Sequence, residues 1–248
     1  MSALESSLLI AVGFVAGVVN TLAGGGSLLT VPLLVLFGLP GTIANGTNRV
    51  GVLVQCLVAC WRFDAKGISE FRSALPLLPA IVLGSLVGAA TATQVPDSVF
   101  ERIFAGIMLV LLIPMLRGGT PPPASESGEQ RWSPLTRNLV LFAIGFYGGA
   151  FQAGVGLLLL FALNRAGIDL FRANSIKIVI VTALAITSVP VFVFERQVAW
   201  LPAVFISIGF TAGAAMGARI ALAGGETAIR RALAVAVLAL AGHLFGLY

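Results

Sequence analysis

Two short polar clusters interrupt this apolar sequence, and each contains one cation. The first, residues 44–49, ends at Arg49, and the second, residues 173–177, ends at Lys177. A cation beside neutral amides and hydroxyls can bind an oxyanion through charge-assisted hydrogen bonds. The alternative is that both long side chains extend to lipid headgroups, as cations near helix ends often do. Their equivalent positions favour a buried anion site.

Each polar cluster follows an apolar segment that is broken by glycines. The segments are GFVAGVVNTLAGGGSLL, residues 13–29, and GFYGGAFQAGVGLLL, residues 145–159, and they look like copies. Asn20 and Thr21 precede the first break, and Gln152 precedes the second. A helix that begins after such a break presents unpaired N–H groups, which suit an anion. A duplicated break of this kind indicates a transporter binding site near the bilayer midplane.

The candidate substrate-binding residues therefore come from both copies. They are Asn20, Thr21, Gly24, Gly25, Gly26, Asn48, Arg49, Gln152, Gly154, Gly156, Ser175 and Lys177. Ser27 is expected to cap the helix after the first break. The glycines have a simpler alternative role, which is to let membrane helices pack closely. Cys56 and Cys60 could contact a sulfur-containing ligand or be small buried hydrophobes.

Other chemistry is not indicated. The sequence has no Walker sequence, HExxH, GxSxG or dinucleotide fingerprint, so we expect no enzyme, metal or cofactor. Every Asp and Glu falls near a predicted loop or helix end, whereas proton or sodium coupling usually uses an intramembrane acid. An anion leaving a negative cytoplasm gains about 2.3 kcal/mol per charge per 100 mV. Export or passive facilitation is therefore favoured over concentrative uptake.

The composition indicates the class of protein. The chain has 248 residues, 58% hydrophobic and only 10% charged, with a mean hydropathy of +1.02. Soluble domains carry about 25% charged residues. We therefore predict an all-α polytopic membrane protein. The net charge of +5 is expected to reflect membrane topology and not nucleic-acid binding.

The apolar runs predict six spans and two broken segments. The spans are 44–63, 72–94, 99–117, 172–194, 199–221 and 228–247, and the broken segments are 7–37 and 137–164. The Pro-, Gly- and Ser-rich residues 118–136 form a linker between an N-terminal repeat, 1–117, and a C-terminal repeat, 137–248. Both repeats have small-residue faces for close helix packing. These faces are Gly84, Gly88 and Ala92 in one repeat and Gly209, Gly213 and Gly217 in the other.

Two membrane arrangements fit these segments. If each broken segment crosses as one interrupted helix, the chain has eight spans and parallel repeats. If each segment turns at its glycines, every repeat is a re-entrant helical hairpin plus three transmembrane helices, and the two repeats are inverted. The inverted arrangement places all loop cations except Arg102 and Arg196 on one side, whereas the parallel one divides them almost evenly. The positive-inside rule and the shortness of arms such as 8–22 and 27–37 favour inverted repeats.

The first break and the following polar cluster form an extended motif. It consists of Gly13, Asn20, Thr21, Gly24 to Gly26, Pro32, Gly46, Thr47, Asn48 and Arg49. This motif resembles the opening repeat of the TauE/SafE sulfite-exporter family, also called the toluenesulfonate uptake permease family. The second copy departs from the family pattern at AGVG and NSIK, where the expected glycine and threonine are missing.

The resemblance implies a multi-pass transporter of the bacterial inner membrane for sulfite, an organosulfonate or a related anion. Together with the residue pattern, it predicts an exporter with an anion site at the repeat interface near the midplane. An anion channel and a non-transporting membrane scaffold or assembly protein are the alternatives. The expected partners are a small anionic substrate and the lipid bilayer, with a homodimer left open and no nucleic acid.

Overall fold

The computed structural model describes residues 1–116 and 133–244, and in these ranges the regular structure is helical. The side chains of 109, 111–116 and 225–244 are not described. The α-helices are α1 Ala3–Leu22, α2 Ser27–Leu36, α3 Gly41–Asp64, α4 Phe71–Ala74, α5 Leu78–Thr93, α6 Asp97–Leu116, α7 Pro134–Ala150, α8 Val155–Arg165, α9 Leu170–Phe194 and α10 Trp200–Leu244. Most of the predicted linker, 118–136, lies outside the described residues, and its last residues begin α7.

Several of the described helices can cross a membrane. By length and composition alone, four segments qualify: Ala3–Leu22, Phe71–Thr93, Leu170–Phe194 and Trp200–Gly224. Helices α2 and α8 are apolar but shorter, with 10 and 11 residues. The prediction of an all-α membrane protein with several spans is confirmed at this level.

The predicted spans mostly coincide with helices. The predicted spans 44–63, 99–117 and 172–194 correspond to α3, α6 and α9. The predicted span 72–94 contains a short 3-10 turn, Leu75–Leu77, between α4 and α5. Prolines follow one another closely in this stretch, and each lacks the N–H that a continuous α-helix needs.

Helix α1 is longer than the sequence predicted. It begins at Ala3 because Ser2 and Glu5 form a capping box. The Ser2 hydroxyl accepts from the Glu5 N–H at 3.2 Å, and the Glu5 carboxylate accepts from the Ser2 N–H at 2.7 Å. A helix of 20 residues extends about 30 Å. The prediction that the first arm, 8–22, is too short to span was therefore wrong, whereas α2 is as short as expected.

The last two predicted spans, 199–221 and 228–247, lie in one helix. Helix α10 contains 45 residues without a break, which corresponds to about 67 Å. Residues 222–227 were expected to separate the two spans, but their glycines cost only about 1 kcal/mol each in a helix, against about 3 kcal/mol for proline. Glu226, which lies in this segment, is therefore within helical backbone. Residues 245–247 lie outside the described residues.

The small-residue faces join two pairs of parallel helices. Helix α1 lies along α10, where added Cβ atoms on Gly209 and Gly213 would overlap the Ile10 and Phe14 carbonyls. Helix α5 lies along α7, and an added Cβ on Gly88 would likewise overlap the Phe146 carbonyl. Such close backbone approach is characteristic of small-residue interfaces in membranes. The predicted packing role of these glycines is confirmed.

Helices α3 and α9 cross the centre of the molecule in opposite directions. Arg49, near the start of α3, binds Ser188 near the end of α9. Phe63, at the end of α3, lies 6.4 Å from Phe171 at the start of α9, measured between ring centroids. Because each helix carries one polar cluster near its start, the two clusters are held at different levels along this pair.

Candidate functional site

The first glycine break turns the chain back beside α1. Gly24 has a left-handed φ of +86°, which is readily available only to glycine, and its N–H donates to the Val19 carbonyl at 3.2 Å. An added Cβ on Gly26 would overlap the Ala16 carbonyl and lie 2.7 Å from the Asn20 Cβ. Helix α2 therefore starts alongside α1 instead of extending its axis.

The second break begins with a similar left-handed residue, but that residue is not a glycine. Gln152 has a left-handed φ of +59°, and Gly154 has one of +69°. The Gln152 N–H donates to the Tyr147 carbonyl at 3.4 Å, which is the bond that Gly24 makes at the first break. Sequence comparison pairs Gln152 with Asn20, but the backbone pairs it with Gly24. Non-glycine residues in this conformation cost about 1–3 kcal/mol and cluster at functional sites.

The two breaks meet in the centre of the molecule. An added Cβ on Gly24 would overlap the Cα of Gly156, and one on Gly156 would lie 3.2 Å from the Lys177 Cδ. Gly25 has more space, because the nearest atom to an added Cβ is Leu157 Cδ1 at 3.6 Å. Gly24 and Gly156 therefore form a backbone contact beside Lys177 that a side chain at either position would disrupt.

Lys177 is buried at the end of α1. Its side chain is 2% exposed, and its Nζ donates to the carbonyls of Asn20 at 3.1 Å and Thr21 at 3.0 Å. The last carbonyls of a helix lack helical partners and form the negative end of its dipole. The alternative that this side chain extends to headgroups is wrong. An ammonium has three N–H donors, so one remains for a further ligand.

Arg49 makes the corresponding contact at the end of α7. It is 0% exposed, and its Nη1 donates to the Gly148 carbonyl at 3.0 Å and to Ser188 Oγ at 2.9 Å. Its Cζ lies 4.6 Å from the centroid of the Phe192 ring, a cation–π contact. Its Nε and Nη2 have no hydrogen-bond partner among the described residues.

Each half of the chain supplies a cation that binds the first helix of the other half. Arg49 comes from the N-terminal half and binds Gly148 in α7, whereas Lys177 comes from the C-terminal half and binds Asn20 in α1. The same number of residues separates Arg49 from Lys177 and Asn20 from Gly148. Each cation offsets the unpaired carbonyl end of the other half's first helix. Both therefore have a structural contact in addition to the predicted ligand role.

Asn48 joins α3 to the start of α2. Its Nδ2 donates to Ser27 Oγ at 2.9 Å, and its Oδ1 accepts from Thr30 Oγ1 at 2.6 Å. Ser27 was expected to cap α2, but it is the first residue of that helix, and the N-cap is Gly26. The expectation was wrong, because the Ser27 hydroxyl is used by Asn48.

Ser175 is not brought together with the other candidates. Its hydroxyl donates to the Ile68 carbonyl at 2.9 Å and accepts from the Glu70 N–H at 3.3 Å, which holds the loop between α3 and α4. Arg172, also on α9, contacts the same loop, because its Nε lies 2.9 Å from Glu70 Oε1. The hydrogen bond from Arg172 lowers the pKa of Glu70. Ser175 is thus placed in a loop contact.

A small cavity of about 10 Å³ lies beside Lys177. It is lined by Asn20, Thr21, Gly24, Gln55, Cys56, Ala59, Lys177, Ile178 and Val181. This volume corresponds to about one water molecule. Four of the predicted residues line it, and a ligand larger than water requires the surrounding helices to separate.

One polar lining residue, Gln55, was not among the sequence candidates. Gln55 is 1% exposed; its Oε1 accepts from Asn20 Nδ2 at 2.9 Å, and its Nε2 donates to Thr21 Oγ1 at 3.2 Å. An amide within an apolar span is itself an indicator of function, and it could have identified Gln55. Cys56 lines the cavity, whereas Cys60 lines a separate surface groove one turn further along α3.

These features define a multi-pass helical membrane protein of the transporter class, with paired glycine breaks and buried cations at its centre. Comparison with known families identifies it further. The chain belongs to the sulfite exporter TauE/SafE family, whose model matches residues 9–244. The family resemblance of the first motif is confirmed.

Curated relatives of the chain carry transporter names. It is 30% identical over 226 residues to a "Probable membrane transporter protein" of Haemophilus influenzae, covering 90% of this chain and 88% of the relative. It is 28% identical over 240 residues to "Probable membrane transporter protein ORF9" of Sinorhizobium sp, covering 96% and 91%. It is 26% identical to "Probable membrane transporter protein YfcA" of Escherichia coli K12, covering 93% and 86%. No solved structure gives a significant match to this chain.

Proposed function

We propose that this protein is a carrier that exports a small sulfur-containing anion, such as sulfite or an organosulfonate, across the bacterial inner membrane. One observation carries the proposal: a buried ammonium, Lys177, lines a cavity at the contact between two glycine breaks. The name of the family supports a sulfur oxyanion as the cargo.

The lining of the cavity suits a small oxyanion. Lys177 has one N–H beyond those that bind Asn20 and Thr21, and the positive charge is not neutralised by its carbonyl partners. The side chains of Asn20, Gln55 and Thr21 form a neutral hydrogen-bonded chain in the same lining. Helix α2 begins at the same break, and the positive end of its dipole lies there, although the N–H groups of Leu28 and Leu29 already donate to the carbonyls of Gly25 and Gly26. These groups can together replace part of the hydration shell of an anion.

The proposed fold is a pair of inverted repeats, each with a re-entrant hairpin. The antiparallel packing of α3 and α9 supports it, since these are the equivalent helices of the two halves. The reciprocal contacts also support it, because Arg49 of the first half binds α7 and Lys177 of the second half binds α1. Inverted repeats that meet at a central site provide alternating access when one moves against the other.

The size of the cavity favours a carrier over an open channel. A volume of about one water describes a closed site, and the Gly24–Gly156 backbone contact lies directly beside it. In this proposal, cargo enters when the two breaks separate on one side and leaves when they separate on the other. Trans-stimulation of flux by anion on the far side would be seen for a carrier and not for a channel.

Anion flux in proteoliposomes tests the proposal. Lys177→Gln removes the cavity's ammonium, and we expect it to reduce sulfite or alkanesulfonate flux at least tenfold, because a charge-assisted contact is lost. Arg172→Gln is the matched control, since Arg172 lies on the same helix but is 57% exposed and pairs with Glu70. Flux at the wild-type level in Lys177→Gln, or no anion flux in the wild type, would contradict the proposal. The absence of anion flux in the wild type is also what the alternative of a non-transporting scaffold predicts.

A further inference from the structure

The unpartnered edge of Arg49 is separate from the cavity beside Lys177. Arg49 reaches the level of Ser188 on α9, and Ser188 lies about three turns, or about 16 Å, beyond Lys177 on that helix. The second glycine break lies between them, because Gly148 binds Arg49 and Gly156 contacts Gly24 beside Lys177. One anion of the size of sulfite cannot contact both cations across that distance.

Only one nitrogen of the Arg49 guanidinium makes hydrogen bonds to the described residues. Both bonds from the described residues are made by Nη1, to Gly148 and Ser188, while Nε and Nη2 are buried without partners. The Nε–H and one Nη2–H lie on the same edge of the planar group, and such an edge can bind an oxyanion with two parallel hydrogen bonds. Phe192 contacts the guanidinium at 4.6 Å from Cζ to the ring centroid, so the hydrogen-bonding capacity left for a ligand is that of the free edge.

The surroundings of Arg49 also have unused polar atoms. Asn45 lies one turn earlier on α3 and donates to the Ala150 carbonyl at 2.8 Å, but its Oδ1 has no partner among the described residues. Both amide atoms of Gln152, which is 2% exposed at the same glycine break, are unpaired as well. Leaving a buried polar group unpaired costs about 1–3 kcal/mol, and more if it is charged. Several such groups at one break point to a polar ligand there.

We infer that the chain has a second oxyanion site at the Nε–Nη2 edge of Arg49, so that each half supplies one cation site, with the second glycine break between them. The inference rests on the proposed function, because it assigns a second position to the same cargo. The cargo would bind at one cation before the breaks separate and at the other afterwards. Two anion positions in series also let one bound anion assist the release of the other by charge repulsion.

Binding stoichiometry tests the inference. The purified full-length protein is dialysed to equilibrium against radiolabelled sulfite without oxygen, and bound sulfite per chain is measured. We expect two sulfite ions per chain for the wild type and for Arg172→Gln, and one for Lys177→Gln. Arg49→Lys keeps the charge but lacks the two-donor edge, and it should weaken one of the two sites at least tenfold.

The outcomes separate this inference from the proposed function. One bound sulfite per wild-type chain, with normal flux in liposomes, would overturn the second site and would still be consistent with the proposed carrier. Two sites of unchanged affinity in Arg49→Lys would overturn it as well. Absence of flux in the wild type would instead contradict the carrier itself. If Arg49→Lys does not fold, the wild-type stoichiometry still decides the question.

Discussion

Lys177 and Arg49 illustrate how an apolar protein retains buried cations. An unpaired buried charge costs several kcal/mol, and here part of that cost is offset by carbonyls at the ends of α1 and α7. The same carbonyls would otherwise be unpaired, which a membrane interior does not tolerate. The structural contact and the proposed ligand role therefore use different N–H groups of the same side chains.

Cys56 offers a test of cavity opening at the scale of one residue. In Cys60→Ser, Cys56 is the sole cysteine, and it is 3% exposed on the cavity wall. We expect a small thiol reagent to label it slowly, and a short alkanesulfonate to slow labelling further by occupying the cavity. The rate is measured by mass spectrometry of the labelled chain.

The reciprocal variant supplies the control for this labelling. In Cys56→Ser, the remaining Cys60 lines the surface groove, so its labelling should not depend on the alkanesulfonate. Equal protection of both cysteines would indicate a general change in the protein and would contradict a cargo site at Cys56.

At the scale of elements, the first glycine break combines two separate requirements. Gly24 needs a left-handed backbone, and it also needs space for the backbone of Gly156. Gly38, after α2, has the same φ of +86° but nothing within 4 Å of an added Cβ. The two glycines therefore share the conformational requirement and differ in the steric one.

This difference gives a matched pair of substitutions. Gly38→Ala should cost about 1–2 kcal/mol, because alanine is strained in the left-handed region. Gly24→Ala should cost clearly more and should also abolish flux, since its Cβ would separate the two breaks. Thermal unfolding and flux are measured for both variants. Similar losses of stability and flux in the two would show that the Gly24–Gly156 contact does not matter.

At the scale of the whole molecule, the topology of the first hairpin remains a prediction. Helix α1 is long enough to cross a membrane, but α2 returns beside it and is too short to cross. In the inverted arrangement, residues 2 and 39 face the same side. In the eight-span arrangement they face opposite sides.

Cysteine labelling distinguishes these arrangements. Ser2→Cys and Leu39→Cys are made separately in a chain in which Cys56 and Cys60 are replaced by serine, and each is exposed to a membrane-impermeant reagent in oriented vesicles. We expect both positions to be labelled from the same side, because α1 and α2 are two arms of one hairpin. Labelling from opposite faces of the membrane would support parallel repeats.

The sequence predicted the helices well where local signals decide them. The spans of α3, α6 and α9 follow directly from apolar runs. The start of α1 was misplaced because the Ser2–Glu5 capping box precedes the apolar run. The break in α10 was wrong because glycine costs only about 1 kcal/mol inside a helix. The equivalence of Gln152 with Gly24 depends on backbone conformation, and no residue type indicates it.

The sequence by itself determined the class of the protein, the two glycine breaks and the two cations, because hydropathy, glycine content and charge are properties of single residues and short segments. Only the tertiary structure decided what each cation contacts. Lys177 and Arg49, expected in one site, bind the ends of different helices on either side of a glycine break. Such contacts join residues more than ninety positions apart, and no local pattern specifies which distant carbonyl a buried cation will reach.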